Sequence, residues 1–270
     1  MTHVRPAPIR YLVGVVVFAV TVSAAEIPPT GEAVHLFDGS SMENFDTFVF
    51  GKGFNRDPDG VFRLLDDGTI RVEGMPYGYF ITKEEYADFY LRTEFKWGEA
   101  THGRRENKAR DSGILYRAVE VGERAGRATS NGSIWPKALE FQIMEGGTGD
   151  VILLGGAELT VKGVRKGGKL GIQIDRFNKT DLGRQDGWPI HYRAPAGFRD
   201  PKNEVEKPHG EWNVLEMVAD GDRVKYWVNG TFVMEGSDAS LAKGKILFQS
   251  EGSELFYRNI ELRLLRKDPR

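Results

Sequence analysis

The chain has 270 residues, of which 40% are hydrophobic and 28% charged, a composition that suits a packed globular protein and excludes disordered or collagen-like chains. A formal net charge of -2 provides no general attraction for nucleic acid or anionic lipid. Cysteine is absent, which excludes disulfides, thiol nucleophiles and thiolate zinc sites, and the 33 glycines favour a turn-rich, many-stranded protein.

The amino terminus has the pattern of a secretory signal peptide. Two arginines precede an apolar run over residues 11–22, and a few small residues that include Ala24 and Ala25 follow it. The run is shorter than the roughly 20 residues that cross a bilayer. We therefore expect residues 1–25 to be cleaved and the mature chain to be exported to the periplasm or the medium without a stable membrane anchor. An uncleaved anchor is the alternative.

The first clear element is a strand over residues 89–97. Phe89, Leu91, Phe95 and Trp97 lie on one face and polar or amphipathic residues on the other, which predicts a half-buried strand. Residues 256–264 alternate in the same way. There, Arg258 falls on the apolar face, so this alternation leaves it either paired inside the sandwich or aimed into a cleft.

A β-hairpin is predicted around Asn229-Gly230. The pair separates residues 223–228 from residues 231–234, and both of its residues accept the positive φ of a type I′ turn. Helical patterns are scarce, and only residues 237–242 suggest a capped turn. We interpret residues 34–265 as one domain, an all-β antiparallel β-sandwich, with loops at 100–110 and 162–210. Further strands are expected at Thr69–Val72, Tyr79–Thr82, Gly113–Tyr116, Ala138–Met144, Val151–Leu154, Trp212–Val218 and Lys245–Gln249.

Seven short segments occur in an order that resembles a known family. They are Leu36–Ser40, Tyr86–Arg92, Asp111–Arg117, Leu139–Ile143, Gly210–Asn213, Val228–Gly230 and Phe256–Ile260. Together they resemble the 3-keto-disaccharide hydrolase domain family. The resemblance implies a concanavalin A-like jelly-roll sandwich, found mostly in exported bacterial proteins, and cleavage of 3-keto-glycosides. The chain has Asp111 where the family usually has Asn, and Glu145 follows Met144 where the family commonly has Asp.

Glu140 and Gln142 are the main candidates for a site. They are two residues apart on a predicted strand, so both side chains emerge on the face opposite Phe141. A carboxylate beside an amide can bind sugar hydroxyls or take a proton, and two ordinary polar residues on an exposed face are the alternative. Met144 stands where a retaining glucanase of this fold needs a second carboxylate, which disfavours that chemistry.

A ketone at carbon 3 of a sugar acidifies the hydrogen on carbon 2, so that one base can start an elimination followed by hydration. We assign Glu140 as the base, with Arg117 or Arg258 as the cation at the developing oxyanion. Asp111 can orient Arg117 or bind a cation. Arg117 can instead pair with a surface carboxylate, and Asp111 can be an ordinary turn residue.

Loop residues supply the candidates for substrate binding. Glu145 borders a glycine-rich loop that can close over a sugar, and His191 can serve as a proton donor. Trp135, Trp188 and Tyr192 lie in or beside loops, where their rings can stack on pyranose faces. Ordinary turn, solvated or structural roles are the alternatives for Glu145 and His191.

No cofactor is evident. The 5 histidines lack metal-ligand spacing, although a divalent cation with scattered oxygen ligands stays open. The chain has no dinucleotide fingerprint, so an upstream sugar oxidoreductase must make the oxidised 3-keto sugar. The basic run 104–110 is interpreted as a solvated loop and not as a nucleic-acid surface. A non-catalytic carbohydrate-binding module and a structural domain with a vestigial cleft are the alternative functions.

Overall fold

The computed structural model describes residues 27–28, 30–121, 135–167, 172–174, 181–183 and 190–266. The strands of its amino-terminal half are β1 (Thr30–Phe37), β2 (Phe45–Val49), β3 (Gly53–Phe54), β4 (Phe62–Leu64), β5 (Ile70–Val72), β6 (Gly78–Thr82), β7 (Phe89–Thr101), β8 (Asp111–Val119) and β9 (Lys137–Met144). The remaining strands are β10 (Val151–Leu154), β11 (Glu158–Val161), β12 (Val164–Gly167), β13 (Ile172–Ile174), β14 (Asp181–Gly183), β15 (Asn213–Asp220), β16 (Arg223–Val228), β17 (Thr231–Gly236), β18 (Lys245–Ser250) and β19 (Ser253–Leu265). Short 3-10 turns occupy Gly103–Arg105 and Ile190–Arg193.

Two large antiparallel sheets form a sandwich. Within the described residues, the first sheet has eight strands in the order β17-β16-β15-β7-β19-β5-β4, with β1 also paired to β19. The second has nine strands in the order β14-β13-β10-β9-β8-β18-β6-β2-β3, and β11 pairs with β12 beside them. The all-β antiparallel sandwich is therefore confirmed.

Apolar side chains from both sheets fill the space between them. Phe95 and Leu91 of β7 are buried there with Phe141 of β9 and Tyr226 of β16. The rings of Phe141 and Tyr226 stack with centroids 4.3 Å apart. The alternation predicted for β7 is confirmed, because its apolar residues face this core while its charged residues lie on the outer face.

The hairpin between β16 and β17 is also confirmed. Val228 pairs with Thr231, and the two turn residues have φ values of 49° at Asn229 and 76° at Gly230. Asn and Gly are the residues that adopt this left-handed conformation at the lowest cost. The Asn229 side chain also donates to the carbonyl of Val205 at 2.8 Å, so the turn holds the preceding segment in place.

The face predicted for Arg258 is wrong, and a β-bulge is the reason. Pairing of β19 with β7 shifts register between Arg258 and Glu261, where Asn259 has a φ of 51°. The bulge inserts one extra residue, so Tyr257 and Ile260 both face the core. Arg258 consequently lies on the outer face of the first sheet.

The sequence patterns missed several short elements. The predicted loop 162–210 contains β12, β13 and β14, and no helical turn forms over residues 237–242, where Ser237 instead makes a β-bridge with Thr160. The predicted signal peptide at residues 1–25 lies outside the described residues. Neither of the described 3-10 turns is long and apolar enough to cross a membrane.

Candidate active site

Strand β9 places Glu140 and Gln142 on the face of the second sheet that points away from the core. Phe141 and Ile143 alternate with them and face the core, as the sequence predicts. Glu140 is only 3% exposed and Gln142 only 1%, so this face is covered rather than open to solvent. Burial strengthens the electrostatic interactions of a carboxylate and an amide in such a position.

A cavity of about 290 Å³ opens over these two residues. Its walls combine cationic, acidic, aromatic and aliphatic side chains, a mixture that suits a polar ligand with one apolar surface. The lining residues are the cations Arg104, Arg105, Lys108 and Arg193, the acids Asp111, Glu140 and Glu251, the aromatic residues Tyr77, Trp135 and Tyr192, and Gln142, Ile152 and Leu154.

Asp111 and Arg105 form an ion pair in the cavity wall. Arg105 Nη2 lies 2.6 Å from Asp111 Oδ2, and Arg105 Nη1 donates to the carbonyl of Tyr192 at 3.2 Å. Burial is the largest single influence on the pKa of Arg105 and acts to lower it, but Asp111, Tyr192, Glu251 and Tyr77 together outweigh burial and raise that pKa. Asp111 is expected to orient Arg117, to bind a cation or to be an ordinary turn residue, and the structure pairs it with Arg105 instead of Arg117.

Tyr192 of the second 3-10 turn lines the cavity and contacts both Gln142 and Arg105. Its hydroxyl accepts a hydrogen bond from Gln142 Nε2 at 2.9 Å, and its ring lies 4.6 Å from the Arg105 guanidinium. Burial, together with the negative charges of Asp111 and Glu140, raises the pKa of Tyr192 well above its usual range. Tyr192 therefore keeps its proton at neutral pH and can donate it in a hydrogen bond.

Aromatic rings form one side of the cavity. The Trp135 ring stacks on Tyr77, with centroids 6.5 Å apart and an interplanar angle of 21°, and it also contacts Tyr79. Trp135 is 7% exposed, so it belongs to the wall rather than to a free loop surface. Burial followed by the charge of Glu251 raises the pKa of Tyr77, which keeps this phenol neutral too.

Gly113 makes room for the carboxylate of Glu140. A Cβ atom at this position would lie 2.3 Å from Glu140 Oε1 and 2.5 Å from Gln249 Oε1. These distances are far below van der Waals contact, so any side chain at position 113 would displace the two polar groups. The glycine of the Asp111-Ser112-Gly113 segment is thus explained by the space that its neighbours occupy.

Two predicted arginines do not line the cavity. Arg117 is fully buried, and its guanidinium donates to the carbonyls of Ala87 and Leu241 at 2.8–3.1 Å. Arg258 lies on the other sheet, where it pairs with Glu94 at 2.7 Å. The prediction that either cation stands beside Glu140 is wrong, because their backbone positions direct them to other partners.

Glu145 is not among the residues that line the cavity, and its contacts are those of a structural residue. It forms a buried ion pair with Arg110 at 2.8 Å, and its Oε2 accepts from the backbone N–H groups of Arg110 and Gly197. These bonds join the start of β8 to the segment that follows the second 3-10 turn. Of the other loop candidates, Trp188 and the side chain of His191 lie outside the described residues.

The segment around Arg105 belongs to the site, although the sequence patterns do not predict it there. Most of the basic run 104–110 is exposed, as expected of a solvated loop, but Arg110 is buried and Arg104, Arg105 and Lys108 line the cavity. A signal was present, since the run directly precedes Asp111, which begins β8. In the described ranges, no three histidine, aspartate or glutamate side chains come close enough together to hold a metal ion.

Comparisons with known proteins identify a matching family and solved structures with a similar fold. Residues 32–263 match the family described as the 3-keto-alpha-glucoside-1,2-lyase-like domain. No curated protein matches the chain. Among solved structures, a candidate glycosyl hydrolase from Parabacteroides distasonis is 17% identical with a TM-score of 0.51, over 87% of this chain and 94% of that chain. A second candidate glycosyl hydrolase from this organism is 21% identical with a TM-score of 0.48, over 87% and 100%. The fold is a concanavalin A-like jelly-roll sandwich.

Proposed function

Since the chain belongs to the family of 3-keto-α-glucoside-1,2-lyase-like domains and is thus a carbohydrate-active, hydrolase-like protein, we propose that it cleaves 3-keto-glycosides. The observation that carries the proposal is the buried Glu140 carboxylate in the cavity, beside Gln142 and a tyrosine that keeps its proton. A base, a cation and a proton donor around one cavity are the groups that an elimination needs.

The reaction begins with removal of the proton on carbon 2. Glu140 takes this proton, and the electrons of the C–H bond form a C2–C3 double bond while the carbonyl oxygen on carbon 3 becomes an oxyanion. The oxyanion then re-forms the carbonyl, a C1–C2 double bond forms, and the C1–O bond breaks. The leaving oxygen takes a proton, so that no covalent intermediate with the protein is formed.

Arg105 and Tyr192 are the residues that we assign to the charges that develop. Arg105 keeps its positive charge beside Asp111 and lines the cavity, so it replaces Arg117 and Arg258 as the cation for the oxyanion. Tyr192 has a neutral hydroxyl in the same cavity and donates a proton or hydrogen bond to the leaving oxygen. Trp135 offers an apolar wall for one face of the sugar.

Addition of water completes a net hydrolysis. Water adds to carbon 1 of the unsaturated sugar and gives its proton to the Tyr192 oxygen that had protonated the leaving group. The Glu140 carboxyl, whose proton exchanges with solvent, returns a proton to carbon 2. The protein neither oxidises nor reduces the sugar, so the ketone has to be made beforehand by a sugar oxidoreductase. We propose that the exported, mature chain meets this oxidised sugar outside the cytoplasm.

Turnover of two matched glycosides tests the proposal. Methyl 3-keto-α-glucoside should be cleaved and should incorporate solvent deuterium at carbon 2, whereas methyl α-glucoside should be inert because no carbonyl acidifies its C–H bond. Glu140→Gln should lower kcat by about 10²–10⁴-fold, the usual contribution of a general base. Glu261→Gln, on the outer face of the other sheet, is the matched control and should leave the rate unchanged.

Two results would contradict the proposal. One is equal cleavage of the two glycosides, and the other is full activity of Glu140→Gln. Binding of the keto-glycoside without any turnover would instead support the carbohydrate-binding module.

A further inference from the structure

Gln249 of β18 is fully buried, and its side-chain amide has no hydrogen bond to any described residue. Its exposure is 0%, and within the described part of the chain neither Oε1 nor Nε2 has a hydrogen-bond partner. Buried carboxamides are almost always hydrogen-bonded, since an unpaired polar group costs stability. An unpaired, buried amide needs an explanation, and we look for it in the group that this amide can bind while the protein functions.

The neighbour of that amide is the carboxylate of Glu140. In the register of the second sheet, Gly113 pairs with Gln142 on one side, and Ile114 pairs with Phe248 on the other. Gln249 therefore lies beside Gly113, whose missing side chain leaves the gap. Glu140 Oε1 and Gln249 Oε1 reach into this gap from opposite sides, each within 2.5 Å of the position that a Cβ atom would take.

A carboxamide can serve both protonation states of a carboxyl group. Its oxygen accepts from a protonated carboxyl, and its NH2 group donates to an ionised one. A half-turn about the last side-chain torsion exchanges the two ends without moving the rest of the residue. No other uncharged side chain of this length offers both functions at one position.

We propose that Gln249 positions Glu140 in both states of the reaction, with Nε2 donating to the ionised base and Oε1 accepting from the acid formed after proton transfer. The inference rests on the proposed function of Glu140 as the base. Gln249 is fully buried and acts through Glu140, so it is a positioning residue and not a catalytic one. Gly113 has no side chain, and this leaves the space in which the side chains of Glu140 and Gln249 approach each other.

Other charged and titratable groups around Glu140 are the same in all variants to be compared. Asp111 of β8 and Arg105 of the first 3-10 turn form the ion pair, and the other charged or titratable lining residues are Arg104, Lys108, Arg193, Glu251, Tyr77 and Tyr192. From the opposite sheet, Tyr226 and Tyr257 interact electrostatically with Glu140. A difference between variants at position 249 therefore reports the group at that position.

The experiment follows the titration of the Glu140 side chain by carbon-13 NMR in the full-length protein without ligand. Gln249→Glu places a second carboxyl in the gap, and we expect the apparent pKa assigned to the pair to rise by about one unit or more. Gln249→Met keeps the size but removes the donor, and we expect a smaller rise of about half a unit. With methyl 3-keto-α-glucoside, Gln249→Met should lower kcat about tenfold with KM changed less than about twofold.

Phe248→Leu is the matched control, because Phe248 is on the same strand and faces the core. It should lower stability without moving the titration of Glu140. If both variants at position 249 titrate as the wild type does, the inference is overturned. If the titration moves but even the wild type fails to cleave the keto-glycoside, the positioning role stands and the proposed function fails. Gln249→Met adds no charge, so it carries the test should Gln249→Glu not fold.

Discussion

Arg105 and Arg117 are both largely buried arginines, and they differ in what their guanidinium groups contact. Arg105 pairs with the Asp111 carboxylate in the cavity wall. Arg117 donates to the carbonyls of Ala87 and Leu241, with Asp88 3.6 Å away, and burial lowers its pKa. Arg117 thus satisfies backbone acceptors, while Arg105 contributes a positive charge to the cavity lining.

This difference predicts a separation of stability from activity. Arg117→Met should lower the free energy of unfolding by about 3 kcal/mol, because it leaves the buried carbonyl of Leu241 and the half-buried carbonyl of Ala87 without these donors. Its kcat per folded molecule should stay close to that of the wild type. Urea denaturation and turnover of a keto-glycoside measure the two effects. The exposed Arg223→Met is the control, and a large loss of kcat in folded Arg117→Met would return this residue to the site.

Tyr192 gives a second prediction at the scale of one residue. If its neutral hydroxyl protonates the leaving oxygen, Tyr192→Phe should slow cleavage of a methyl 3-keto-glucoside by about 10²-fold. The loss should be much smaller with a p-nitrophenyl 3-keto-glucoside, whose leaving group needs no proton. Kinetics with the two substrates measure this difference. Equal losses on both would show that Tyr192 serves binding alone.

Part of the site follows from the sequence because it lies on one strand. The alternation of β9 is sufficient to predict that Glu140 and Gln142 share a face opposite Phe141. Arg105, Tyr77 and Glu251 come from other segments, and only the folded chain brings them to that face. Local periodicity has no information on such contacts, so the basic run was interpreted from its charge alone.

At the scale of elements, regular strands were predictable and irregular ones were not. The long strands β7 and β15 and the Asn229-Gly230 hairpin have strong local patterns. The three-residue strands β13 and β14 have too few residues for a period to appear. In β19, Asn259 adopts a left-handed φ and reverses the faces, which an uninterrupted alternation cannot represent.

The bulge can be tested through the residue that forms it. Asn259→Gly should change stability little, because glycine adopts a positive φ readily. Asn259→Val should destabilise the protein by about 2 kcal/mol, since a β-branched residue resists that conformation. Thermal or urea unfolding measures both variants. Equal stabilities would mean that the bulge tolerates any residue and that the asparagine is there for its 3.3 Å contact with Glu94.

At the scale of the molecule, one buried carboxyl connects parts of the fold that are far apart in sequence. Glu206 accepts hydrogen bonds from Trp97 Nε1 at 3.1 Å and from the Thr148 hydroxyl. Trp97 belongs to β7 of the first sheet, while Thr148 lies in the loop between β9 and β10 of the second. The segment that carries Glu206 is thereby tied to both sheets beside the site.

Glu206 also makes the stability of the whole fold depend on pH. Burial raises its pKa to about 8 from the usual 4.5 of a glutamate, so the native state keeps a proton that the unfolded chain releases. This contribution to stability is fully present below about pH 4.5 and is lost as the pH rises through 8, a loss on the order of 5 kcal/mol at most. Glu206→Gln imitates the protonated form. It should therefore match the wild type near pH 5, exceed it in free energy of unfolding near pH 9, and make the free energy of unfolding less dependent on pH between these values.

Urea denaturation between pH 5 and pH 9 measures this pH dependence, with the exposed Glu211→Gln as control. A wild-type slope that persists in Glu206→Gln would mean that other groups carry the pH dependence and that Glu206 is ionised in the folded protein.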